Sequence, residues 1–299
     1  NAVVRNADYY FRPGLTYTFV ARGSMGVRLV SAAIYGHKSP VIATQNARRR
    51  TSLAGVLSTR FASFVLRVMT QDLEFSNAYV ANLPVPSRLP SALESLPGAA
   101  TGLKGILVAS DPLERGFNCG LLQGGGDRQV SLRAAVVASL ARTEATAALL
   151  HTLEGWNERL VCDAYGLDED DIQQVIEETG TPAGWYPLTA GYDRLPDPPE
   201  GVELPEGFAA YFAGLERREL SPGELARLKT RLRKLYEAGP GAKPDEEEEP
   251  AAGQDNESEA ALGAHIPIPT ETFLEELSQK IEVHPVCVYW LLEELRSEG

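Results

Sequence analysis

The stretch TSLAGVLSTRFASFVLRVMTQDLEFSNAYVANLPVP, residues 51–86, decides how the first third of the chain is read. Leu53, Val56, Leu57, Phe61, Phe64, Val65 and Val68 recur at i, i+3, i+4 and i+7. That rhythm predicts one amphipathic helix with its apolar side buried. Arg60, Ser63 and Arg67 fall on the opposite side. Thr51 or Ser52 is the expected cap, because a hydroxyl there accepts an otherwise unpaired backbone N–H. Gln71 to Asn82 is polar and aromatic. Leu83-Pro84-Val85-Pro86 then forces the chain out of regular structure, since proline removes a donor and restricts the residue before it.

Upstream, LTYTFVAR (15–22), VRLVSAAIY (27–35) and PVIATQN (40–46) are rich in β-branched and aromatic residues. Glycines 23, 26 and 36 separate them, which predicts three short strands. Arg48-Arg49-Arg50 is read as a tight basic loop leading into the helix. Strands, loop and covering helix make a compact α+β unit.

Charge is distributed unevenly. The chain of 299 residues has a net charge of −13, yet residues 1–90 hold eleven arginine and lysine residues against three acidic ones. That block is +8, and the remainder is −21. An arginine-rich, acid-poor block points to a polyanion partner, here double-stranded DNA. Arginine pairs bidentately with guanine edges and phosphates, and Asn or Gln with adenine. The candidate DNA-binding residues are Arg22, Ser24 and Arg28 around a turn between two strands, Lys38, the run Arg48, Arg49 and Arg50, then Arg60, Gln71 and Asn77. The run is expected just before a helix start, where backbone N–H groups also favour phosphate.

Residues 91–130 are poorly periodic and read as a loop or linker. A long helical pattern runs from the cap Ser131 to about Tyr165, and Gly166 ends it. Asp168 opens an acid-started helix that Gly180 closes. Residues 181–207 form a proline-rich arm. Helices are expected over Phe208–Leu220 and from Ser221-Pro222 to Glu237. These pieces make a helical scaffold over 131–239. Residues 240–263, with the acidic run 245–249, read as a disordered linker. Residues 264–299 form a small helix-turn-helix-like domain: a first helix with Phe273, Leu274, Leu277 and Ile281, a turn at Glu282-Val283-His284, and a second helix from Pro285. Glu293, Glu294 and Glu298 on the second helix would repel phosphates, which favours a protein-interaction or winged-helix-like packing role there.

Several chemistries find little support. Cys119, Cys162 and Cys287 are odd in number and far apart, against a disulfide frame or a zinc site, and fit a reducing cytoplasm. His37, His151, His265 and His284 have no ligand spacing. Asp197-Pro198-Pro199-Glu200 nearly matches the D/N-P-P-Y/F loop of adenine methylation, but Glu200 cannot stack on a flipped base. Gly124-Gly125-Gly126 precedes a helix without a strand leading in, so it reads as an ordinary loop rather than a phosphate cradle. With no signal peptide and no long apolar run, the chain reads as an internal or C-terminal piece of a longer soluble protein, with no membrane partner.

These strings also carry a resemblance. YYFRPGLTYTFVARGSMGVR (9–28), LAGVLSTRFASFVLR (53–67) and NAYVANLPVP (77–86) resemble the specificity half of PglX-type adenine-specific DNA methyltransferases of bacterial phage-exclusion (BREX) systems, and of the related fused restriction-modification methylases. LHTLEGWNERLVCDAYGLDEDDI (150–172), TPAGWYPLTAGYDRLP (181–196) and the closing residues 264–299 resemble later parts of the same family in the same order. The resemblance implies a DNA target-recognition domain over 1–90 and a scaffold behind it. It implies S-adenosylmethionine for the parent protein, whose catalytic motifs this chain lacks, and further defence-system proteins as partners of the C-terminal helices. The alternative is a protein-interaction module of a multi-subunit complex that does not itself read DNA.

Overall fold

The computed structural model describes residues 6–21, 23–36, 38–70, 73–118, 131–238 and 268–298. In chain order the elements are β1 (Gly14–Tyr17), β2 (Val27–Val30), β3 (Val41–Ala43), α1 (Ala47–Leu57), α2 (Arg60–Thr70), α3 (Asn77–Asn82), α4 (Leu96–Ser110), α5 (Leu132–Tyr165), α6 (Glu169–Thr179), β4 (Leu188–Thr189), α7 (Phe208–Ala213), β5 (Arg217–Arg218), α8 (Pro222–Ala238), α9 (Thr270–Ile281) and α10 (Pro285–Glu298). The fold is α+β: a small antiparallel sheet followed by a mainly helical region. The chain divides into two compact units. The first holds Asn1–Gly102, Leu153–Pro182 and Val202–Tyr211; the second holds Leu103–Thr152, Ala183–Gly201 and Phe212–Gly299.

In the first unit the three expected strands form, though shorter than expected, in the order β2-β1-β3. Leu15 pairs with Leu29 on one side and Ile42 on the other, and Thr16 pairs with Arg28 and Val41. Pleating sends Leu15 and Tyr17 inward, where both are buried. Thr16, Arg28 and Val41 share the opposite, outer face. Helix α1 lies against β1 and β2.

The single helix expected over residues 51–68 is in fact two helices bent by 72°. The break is at Ser58-Thr59. The Thr59 hydroxyl donates to the carbonyl of Val56 at 2.7 Å and accepts from the N–H of Ala62 at 3.1 Å, so it closes α1 and caps α2. The next two amides point at a carboxylate far along the chain: Arg60 N donates to Glu158 Oε2 at 2.8 Å and Phe61 N to Oε1 at 2.9 Å. Asn157 Nδ2 donates to the carbonyl of Gly55 at 2.8 Å. A Cβ at Gly55 would stand 2.9 Å from Asn157 Oδ1 and 3.0 Å from Leu93, so a side chain there would push both groups aside.

The bend changes which side of α2 is covered. Phe61, Ala62, Ser63 and Leu66 are buried, and Val68 is exposed. Ser63, expected on the polar side, accepts from the N–H of Met25 at 2.9 Å. The expected caps Thr51 and Ser52 are also corrected: both hydroxyls bond carbonyls of the preceding turn. The cap is Asn46, whose side chain accepts from Arg49 N at 3.0 Å. Arg48, Arg49 and Arg50 therefore belong to the first turn of α1 rather than to a loop before it.

The stretch read as a linker over 91–130 contains α4. Pro97 sits in its first turn, where a missing N–H costs little, and Leu96, Leu103 and Leu107 are buried on one side. Residues 119–130 lie outside the described residues. Ser131 caps α5 through Ala134 N at 3.2 Å. Asp168 forms a reciprocal capping box with Asp171 at the start of α6. Gly166 and Gly180 end these helices with φ of 71° and 80°.

In the second unit, α7 stops at Ala213 rather than Leu220. The chain beyond it pairs in parallel with the arm, Leu188 with Arg217 and Thr189 with Arg218. Helix α8 forms as expected. Helices α9 and α10 are joined at Glu282-Val283-His284, with Glu282 left-handed at φ 56°. Leu274, Leu277, Ile281, Val286, Leu291 and Leu292 are buried, and α9 packs on α8. The helix pair is thus part of this unit rather than a small domain of its own. The expected linker 240–263 lies outside the described residues.

Candidate nucleic-acid interface

The outer face of the sheet forms one wall of an open cleft of about 710 Å³ in the first unit. Thr16 and Arg28 contribute from paired strands, and Phe19, Ile34, Tyr35 and Lys38 from the connections. Lys38 Nζ stands 4.4 Å from the Phe19 ring centre and 3.0 Å from Glu74 Oε1. A cation over an aromatic face is attracted by the ring quadrupole. Tyr35 donates its hydroxyl to the carbonyl of Arg12 at 3.1 Å, and Phe11 N bonds Ala33 O at 2.9 Å, which fixes this side of the cleft. Arg28 is exposed and takes part in no ion pair among the described residues.

The ten candidate DNA-binding residues separate into three groups. Arg22 and Gln71 lie outside the described residues. Arg50, Arg60 and Asn77 are tied into the unit: Arg50 donates to Thr44 O at 3.0 Å, Arg60 Nη1 to Thr179 O at 2.6 Å, and Asn77 Oδ1 accepts from Tyr17 at 2.6 Å. Burial pushes the Tyr17 phenol up to about 12, so it remains a donor. Ser24, Arg28, Lys38, Arg48 and Arg49 are exposed. Of these, Arg28 and Lys38 meet at the cleft. Arg48 lies 3.5 Å from Glu94 while its side chain stays 82% exposed.

The turn carrying Ser24 is held down on both sides. Arg67 donates to the carbonyls of Ala21 at 3.1 Å and Gly23 at 2.6 Å, and Met25 is buried. The first unit also contains residues 153–182, with nine carboxylates against Arg159, so the positive charge is confined to part of its surface. Phe19 and Tyr35 were not among the candidates. Their signal was the interleaving of aromatic and basic residues from Tyr9 to Lys38, which is how single-stranded and flipped bases are met by stacking.

No group of three or more metal-ligating side chains occurs among the described residues. Cys162 and Cys287 are free and buried, and burial pushes their thiols up to about 12 and about 11, so both are neutral. His151 Nε2 faces the carbonyl of Glu271 at 2.8 Å. Asp197 and Glu200 are exposed in the irregular segment before α7, with no strand leading into them. His37, His265, Cys119 and the glycine run at 124–126 lie outside the described residues. No single helix among the described residues is long and apolar enough to cross a membrane.

No family model matches the chain, and no curated protein matches it.

Proposed function

We propose that this chain is the DNA target-recognition and scaffold region of an adenine-specific (N6) DNA methyltransferase of bacterial phage defence, acting in the cytoplasm. The observation that carries the DNA reading is the cleft on the outer sheet face, where the exposed Arg28 stands with Lys38, Phe19 and Tyr35. A fixed sheet that presents a guanidinium in a cleft also lined by aromatic rings is suited to phosphate and base contacts. The family strings extend this to methylation. S-adenosylmethionine would be held by the catalytic domain of the parent protein; no residue of this chain is assigned to it. The C-terminal helices would contact other proteins of the defence system.

The test is a fluorescence-polarisation titration with duplex DNA over a salt series, comparing the chain with R28E/K38E. The expected result is roughly tenfold or greater weakening and a salt slope shallower by about two, near 0.9 for each phosphate that is no longer neutralised. Binding that is absent at low salt, or untouched by the double reversal, removes the DNA role from this cleft.

A second reading has its own observation. Phe11 and Ile34, beside or within the same cleft, are 65% and 66% exposed, and exposed apolar groups also mark protein contacts. Under that reading, I34D abolishes capture of a partner protein while R28E/K38E leaves it intact.

A further inference from the structure

Helix α8 is strongly basic inside the acidic remainder of the chain. From residue 217 to the end of α8 at Ala238 there are seven arginine and lysine residues against Glu219, Glu224 and Glu237. Its apolar side is accounted for. Leu232 and Leu235 are buried, and the Tyr236 ring lies 6.0 Å from that of Phe273.

Some of the charge is also accounted for. Lys229 pairs with Glu294 at 2.7 Å, and Arg217 with Asp193 at 2.7 Å. Glu224 is turned back onto Ser221, where it accepts from the backbone N–H at 2.9 Å and from the hydroxyl at 2.7 Å, and the charges of Arg218 and Arg227 also act on this carboxylate. Arg231 donates to the backbone carbonyl of Lys280, a neutral acceptor that leaves its charge unbalanced. Arg218, Arg227 and Lys234 are exposed and take part in no ion pair among the described residues.

Arg227, Arg231 and Lys234 are spaced i, i+4 and i+7, so they form a row along one side of α8, beside the side that carries the buried Leu232 and Leu235. At 1.5 Å per residue the row is about 10.5 Å long. A duplex carries about one phosphate charge per 3.4 Å of axis on each strand, so roughly three phosphates of one strand span such a length. The row contains no aromatic and no Asn or Gln; Thr230 lies beside it, and Glu224 stands in line with it three residues before Arg227. It is equipped for phosphates and not for base edges. A lipid surface fits poorly, because a helix lying in a membrane must turn its apolar side toward lipid, and that side of α8 is already buried in its unit.

We infer that the exposed row of α8, Arg227, Arg231 and Lys234 with Arg218 at the preceding strand, is a second DNA-contacting surface that holds the phosphate backbone of a duplex without reading sequence. This surface does not depend on the sheet cleft.

The test uses the full chain. R218E/R227E/K234E and its neutral counterpart R218Q/R227Q/K234Q are titrated with two duplexes of unrelated sequence over a salt series, and thermal melting confirms that both are folded. The charge reversal should weaken binding roughly tenfold or more on both duplexes and reduce the salt slope by about two to three, with the neutral variant in between. The same triple placed in the R28E/K38E chain should remove residual slope. An unchanged slope in the triple variant overturns the inference. If only the cleft pair matters, the helix row is wrong and the cleft reading stands; if only the helix row matters, the reverse holds. Binding of anionic phospholipid vesicles in preference to duplex, abolished by the same triple reversal, would also overturn it.

Discussion

Two pairs of consecutive helices in this protein turn corners by different means. At the α9–α10 corner the turn itself is made locally, and His284 N adds one distant bond, to Pro187 O at 3.3 Å. Glu282 adopts the left-handed conformation, Val283 N returns to Ser278 O at 3.2 Å, and Pro285 opens the next helix with a fixed φ. At the α1–α2 corner the local sequence would continue as one helix. The corner is made by Thr59 together with a carboxylate 98 positions away. A corner written locally survives changes elsewhere; one written at long range fails with its distant partner. Substitutions at the two corners should therefore separate by size.

The largest effect is expected at Glu158. Glu158→Ala leaves the amides of Arg60 and Phe61 buried without acceptors and should cost about 3 kcal/mol, from 1–3 kcal/mol per unmet buried group. Urea unfolding reads the loss, and a cost below about 1 kcal/mol would mean that Thr59 makes the corner unaided. Glu158 itself is pulled two ways: burial raises its pKa, and the two N–H bonds lower it, with burial dominant.

The next effect concerns His284 in the local corner. Burial holds its pKa down at about 3, and the charge of nearby His151 adds to this. The folded form is thus harder to protonate than the unfolded chain, whose histidine titrates near 6.5. Stability is complete above pH 6.5 and falls as pH drops below it, with a limiting slope of about 1.4 kcal/mol per pH unit. His284→Leu should remove that component between pH 6.5 and 5. Glu144, raised to about 7 mainly by burial, works in the other direction: its protonation stabilises below pH 4.5 and this is lost as pH rises toward 7. Taking the difference between the two proteins cancels the Glu144 contribution. Parallel pH profiles for the two would show that His284 is not the acid-sensitive group.

Two smaller effects complete the comparison. Asn46→Ala should destabilise by about 1 kcal/mol through loss of the α1 cap, read as a lower urea midpoint. Glu282→Gly should stabilise by about 1 kcal/mol, since glycine adopts the left-handed conformation without the Cβ penalty. A melting temperature lowered by Glu282→Gly would show that the carboxylate at that corner makes a contribution larger than the strain.

The contrast also explains what could be read from the chain. The α9–α10 corner, the ends of α5 and α6 and the capping residues Ser131 and Asp168 were legible, because proline, glycine and capping groups act within a few residues. The break at Thr59 left only a weak local mark, a Ser-Thr pair inside an apolar rhythm, and its decisive partner Glu158 carries no sequence signal. The cap Asn46 was hidden behind the arginine run, and the glycines of α4 masked the spacing of Leu96, Leu103 and Leu107. In the candidate site, charge identified Arg28 and Lys38 but also Arg50 and Arg60, whose guanidinium groups are engaged with backbone carbonyls. The distinction between a surface arginine and an anchoring one depends on which carbonyls the fold presents. The aromatic walls, Phe19 and Tyr35, come together only when β1 and β2 pair.

The clasp formed by Asn157 and Glu158 has a consequence for moving this sheet-and-helix element between proteins. A graft that transfers residues 6–90 alone would carry the elbow without the groups that hold it, leaving its two leading amides facing nothing. The transferable block is discontinuous: it needs the C-terminal end of α5 as well, and a graft that respects only the order of the chain would deliver an element that does not hold its bend.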